Sequence, residues 1–159
     1  MTERSGKFAF AKELPRHLAE LEVLLKRHIE PRELLSVEET RLIRARASQV
    51  ARWPLCRWKL PFLEKEDGRF RAFVANLSEA NPADVYVWTP ASNVCGLLRP
   101  VALARVSFSF PFELNPEGIL TILTIDLSDQ LLLDYSMGEG GEAFLEMECS
   151  GEHWGRVAY

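Results

Sequence analysis

The hydrophobic period of this chain changes once, near Leu55, and that switch constrains the fold to helices first and strands afterwards. Before it, Leu14, Leu18, Leu21, Leu25 and His28 recur at the spacing of one helical stripe, with Leu24 and Ile29 at its edges. The spacing predicts a first helix from about Pro15, whose fixed φ suits a first turn, to about Ile29, where Pro31 stops it. Ser36-Val37-Glu38-Glu39 reads as a capping box opening a second helix, which should end before Trp53-Pro54. Its buried face would use Thr40, Ile43, Ala47 and Val50.

From Leu55 the pattern alternates. Cys56, Trp58, Leu60 and Phe62 face one way and Arg57 and Lys59 the other, and the Glu66-Asp67-Gly68 turn predicts a hairpin into a strand over 69–77. Further strands are expected at 85–89, at 104–112 with Ala104, Val106, Phe108, Phe110 and Phe112 on one face, and at 118–127, 131–136, 143–149 and 153–159. The result is one α+β domain over 1–159, with two N-terminal helices packed on a mostly antiparallel sheet in meander order. Residues 1–12 form a flexible or edge segment, 13–52 the helical part and 53–159 the sheet.

With 47% hydrophobic and 26% charged residues in 159, the composition is that of a folded globular chain. No apolar run approaches the ~20 residues of a membrane span, and no secretory leader opens the chain, so a cytoplasmic location is expected. Cys56, Cys95 and Cys149 are odd in number and far apart in sequence; no disulfide and no metal or redox motif is expected of them. His17, His28 and His153 lack neighbours at ligand or catalytic spacing, with His28 expected to border the core. A P-loop and a dinucleotide fingerprint are both missing, so no cofactor is expected.

Charge is segregated along the chain. Residues 1–72 carry 16 of the 19 Lys and Arg, whereas 73–159 carry 3 of these and 12 of the 23 Asp and Glu. Such an acidic half attracts cationic partners and repels nucleic acid and anionic membrane. Asp126, Asp129, Asp134, Glu139, Glu142, Glu146 and Glu148 crowd into the last strands, and strand alternation places Phe144, Glu146 and Glu148 on one face. An aromatic anchor among carboxylates suits a protein interface. The competing readings are a plain solvated face, a hard-cation site that lacks the calcium-loop spacing, and an acid/base carboxylate pair. Arg41, Arg44 and Arg52, with Arg57, Lys59, Trp53 and Trp58 nearby, form a basic stripe. Glu38, Glu39 and the net charge of −4 argue against nucleic acid there, and a role within the fold is open.

The general build, together with Leu131-Leu132-Leu133-Asp134-Tyr135-Ser136-Met137-Gly138-Glu139-Gly140-Gly141-Glu142-Ala143-Phe144-Leu145-Glu146, resembles bacterial immunity proteins. The closest kind neutralises toxins of contact-dependent growth inhibition and other polymorphic toxin systems. The resemblance implies a non-catalytic protein whose partner is a cationic protein toxin, often a nuclease, with the acidic surface occupying the cleft that holds phosphates. The alternatives are a small enzyme using Asp126, Asp134 or Glu139 as acid/base, and a secretion chaperone or adaptor.

Overall fold

The computed structural model describes residues 3–159, with side chains from Phe8 onward. Helix α1 spans Glu3–Leu25 and runs straight through Pro15. The expectation that Pro15 opens the helix therefore fails. Ala9, Ala11, Lys12, Glu13 and Leu14 are good helix formers, and their joint preference works against the lost backbone donor and the ring clash of an interior proline. Lys26, in the left-handed region at φ 51°, ends it. The buried stripe is also rotated, since His17, Glu20, Leu21, Leu24 and Leu25 are buried while Leu18 is only partly so. His28 is exposed and bonds the Glu22 carboxylate through Nδ1, so it does not border the core.

Helix α2, Val37–Ala47, opens on the expected capping box: the Glu39 N–H donates to Ser36 Oγ at 3.1 Å and the Ser36 N–H to Glu39 Oε2 at 2.8 Å. It stops at Ala47, short of Trp53, and of its expected buried face Thr40 alone is buried. Val50 is exposed.

Strand β1, Leu55–Pro61, leads through a 3-10 turn at Phe62–Glu66 into helix α3, Gly68–Ala80, where a second hairpin strand was expected. Alternation would split Phe70 from Phe73 and Leu77 onto opposite faces; helical spacing buries all three together, a larger apolar payload. Strand β2, Val85–Trp88, is followed by the short helix α4, Ser92–Cys95. Residues 104–112 contribute no strand. A 3-10 turn at Leu103–Arg105 exposes Ala104, and the stretch after it lies outside the sheet with Val106, Phe108 and Phe110 buried. Strands β3, Ile119–Thr124, β4, Asp129–Met137, and β5, Ala143–Gly151, complete the sheet. A 3-10 turn at Trp154–Arg156 stands where a last strand was expected, and buried Trp154 donates its indole N–H to the Leu77 carbonyl at 2.9 Å.

The sheet order is β1-β5-β4-β3-β2, antiparallel throughout. Strands β2, β3, β4 and β5 are sequential antiparallel neighbours, in meander order; β1 alone departs from it by pairing with β5. The inner face, with Leu60, Leu120, Ile122, Leu131, Leu133, Leu145 and Met147, packs with α1 and α3 in one core. Phe62, Phe110, Phe112 and Tyr135 meet there at centroid spacings of 5.3 to 5.8 Å. Lys65 is buried among these rings, its ammonium 4.0 Å from Phe62 and 4.8 Å from Phe110, and burial lowers its pKa. Register also sets Cys56 directly opposite Cys149, both as free thiols, although 93 positions separate them in sequence.

Candidate partner-binding face

Because the helices and the aromatic stretch cover one face of the sheet, the alternate residues of β1, β5 and β4 are left on the other. Strand period two puts Arg57 and Lys59, then Phe144, Glu146 and Glu148, then Leu132 and Asp134 on this outer face. Glu146 sits between Lys59 and Asp134 in register, and Glu148 between Arg57 and Leu132. An open groove of about 560 Å³ runs among Arg57, Lys59, Leu132, Asp134, Glu146 and Glu148.

The pairing is electrostatic as well as geometric. Arg57 bonds Glu148 at 2.8 Å and Lys59 bonds Glu146 at 3.0 Å, with the Lys59 ammonium also 5.0 Å from the centre of the Phe144 ring. The two cations that sequence reasoning grouped with a basic helix stripe therefore neutralise the strip from the neighbouring strand. On α2 itself Arg41 reaches Glu38 and Arg44 reaches Asn93, while Arg52, beyond the helix end, bonds the carbonyls of Ala47 and Leu127. Asp134, Glu139 and Glu142 form no ion pair with another described residue. Glu139 and Glu142 project from the β4–β5 loop, which the Glu142 carbonyl closes by accepting from the Gly138 N–H at 2.8 Å. Five carboxylates against two cations leave a negative surplus around half-buried Phe144 and Leu132.

Asp126 and Asp129 belong to the fold and not to this face. Asp126 Oδ1 accepts from Thr124 Oγ1, Ser128 N and Ser128 Oγ at 2.7 to 3.0 Å and builds the β3–β4 turn. Burial works against its ionisation, but these bonds hold its carboxyl below the usual range. Asp129 is fully buried, which corrects its assignment to a binding surface. Its oxygens accept from Asn81 Nδ2 at 2.7 Å, from the backbone N–H groups of His153 and Trp154 at 2.9 Å each, and from His153 Nδ1 at 2.8 Å. Burial pushes its pKa up, and the donors together more than reverse that. His153 is raised in turn, chiefly by its bond to Asp129.

His153 has no neighbour at ligand spacing in the sequence, and the hairpin register is what brings it to Asp129. Strands β4 and β5 place Gly151 opposite Asp129, two residues before His153, so counting outward from the 138–142 loop would have found the pair. Arg57 and Lys59 had no such local signal, since β1 joins β5 across 80-odd residues of chain. Among the described residues, no group of three or more His, Cys, Asp and Glu is arranged to hold a metal ion. Comparison with protein-family models, curated proteins and solved structures finds no match to this chain.

Proposed function

We propose that this protein is a non-catalytic binder that captures a cationic protein on the outer face of its sheet. The partner class is the toxins that bacterial immunity proteins neutralise, with a nuclease as the expected case. One observation carries this reading: a sheet face left uncovered by the fold bears a carboxylate surplus around Phe144 and Leu132. The ring and the leucine supply apolar anchors, the unpaired Asp134, Glu139 and Glu142 draw in a basic cleft, and the two ion pairs hold Glu146 and Glu148 in place. An acid/base reading is less well served. Asp134 and Glu139 stand exposed, and Asp126 is taken up by its bonds to Thr124 and Ser128 in the β3–β4 turn.

The test is growth rescue. Cells expressing the toxin domain encoded beside this protein should survive when it is co-produced, and the two proteins should co-elute. The Glu146→Lys/Glu148→Lys double variant, shown to be folded by circular dichroism, should lose both effects. Equal killing with and without the wild-type protein, or full protection by the variant, would reject the proposal.

A further inference from the structure

On the helical side of the molecule, away from the outer sheet face, a groove of about 610 Å³ lies between α3 and the stretch 104–109. Phe70, Val74 and Ala75 form the apolar part of its α3 wall, flanked by Arg71, Ser78 and Glu79, and Val106 and Phe108 stand opposite. The volume falls within the range of ligand sites. Its second wall is unusual in its main chain. The Ser107 N–H donates to the Leu24 carbonyl at 2.6 Å, and Lys26 Nζ donates to the Ser109 carbonyl at 3.0 Å, so the odd-numbered residues direct their polar groups toward the end of α1. The burial pattern there alternates as a strand would, so the N–H and C=O groups of Phe108 and Phe110 lie on the opposite edge. No described residue pairs with those groups, and Phe108 lines the groove. Main-chain groups left unpaired along an extended edge are a template for pairing with another chain.

We infer that this groove binds an extended peptide, which adds beside 106–110 as a strand and seats alternate apolar side chains against Phe70, Val74 and Ala75. Main-chain bonds to Phe108, which lines the groove, would supply affinity, and the α3 wall would choose the residues. An apolar small molecule could fill the same volume but would leave those donors and acceptors unpaired, which is why a peptide is the occupant.

The test is selection from a displayed library of random decapeptides on the wild-type protein. Enriched sequences should carry apolar residues at alternate positions. Their synthetic forms should bind at least tenfold more weakly to Ala75→Trp, which fills the groove from an exposed helix position, and to Ser78→Arg at another point of the same wall. N-methylation of alternate peptide amides should weaken binding to a similar extent. Ala72→Trp, on α3 outside the groove, and Glu146→Lys/Glu148→Lys, on the sheet, should bind like wild type. No enrichment over the Ala75→Trp protein would overturn the inference. So would binding that ignores both groove variants, or binding that ignores N-methylation. Failure of toxin rescue leaves these outcomes untouched, because the two surfaces are on different sides of the fold.

Discussion

Asp129 shows how one buried carboxylate organises a chain terminus. Its two oxygens satisfy the backbone at 153 and 154, the Asn81 amide and the His153 ring, tying the C-terminal turn to β4 and to the end of α3. Asp129→Ala leaves those donors unpaired inside the protein and should cost about 3–5 kcal/mol in urea unfolding. The pair also sets a pH window. Asp129 is depressed, so its contribution is present above the unfolded carboxylate value of about 3.9 and is lost as pH falls through the folded value. His153 is raised, so its contribution is full below about 6.5 and fades as pH rises through its folded value. Stability from this pair should therefore be greatest between about pH 4 and 6.5, and both limbs should vanish in Asp129→Asn. Glu20 behaves in the opposite sense. It is 3% exposed, and although Arg16 Nε stands 3.5 Å from Oε1, burial outweighs that cation and is the chief cause of its raised pKa. A raised acid opposes folding increasingly as pH climbs above its unfolded value of about 4.3. Glu20→Gln should accordingly gain stability over wild type at pH 8 and gain little at pH 4, as read by paired denaturation curves.

At the scale of elements, α3 separates the two ways of reading a short apolar segment. Residues 69–77 satisfy both an alternating and a helical template, and their length favours neither. What decides is the partner surface. Phe70 and Phe73 meet Phe108 and Tyr159 at 5.3 and 5.5 Å, and Leu77 accepts from Trp154, so the helical face is the one the core receives. Asn76 lies on the exposed side of this helix. Asn76→Pro should cost about 3 kcal/mol or more, because it removes a helical hydrogen bond and forces a clash, while Asn76→Ala should stabilise by a few tenths to about 0.7 kcal/mol. A protein that tolerated the proline would not contain α3 as described. Thermal melts of the two variants decide this.

For the molecule as a whole, the sheet divides two environments. Its inner face is committed to the aromatic core, and its outer face carries fixed charge with two apolar anchors. Charge reversal of unpaired Asp134, Glu139 and Glu142 should slow association with a cationic partner several-fold at low salt, and the effect should shrink as the Debye length falls to about 8 Å at physiological ionic strength. Phe144→Ala should act on dissociation instead, as an anchor does. Stopped-flow association and surface-bound dissociation rates separate the two. Equal effects of Asp134→Lys at low and high salt would remove the electrostatic argument.

Local patterns determined a good part of this structure. The capping box at Ser36, the alternation of Ala143, Leu145, Met147 and Cys149 against Phe144, Glu146 and Glu148, and the α+β class were all legible, because each rests on interactions within a few residues or on a single period. The carboxylates of the candidate face were legible for the same reason. Their ion pairs with Arg57 and Lys59 were not, and neither were the burial of Asp129, the approach of Cys56 to Cys149 or the main-chain edge at Phe108. These depend on which strand lies beside which, and in the order β1-β5-β4-β3-β2 the first strand joins the last. That choice is made by burial of the whole apolar surface at once, a quantity no short window of sequence contains.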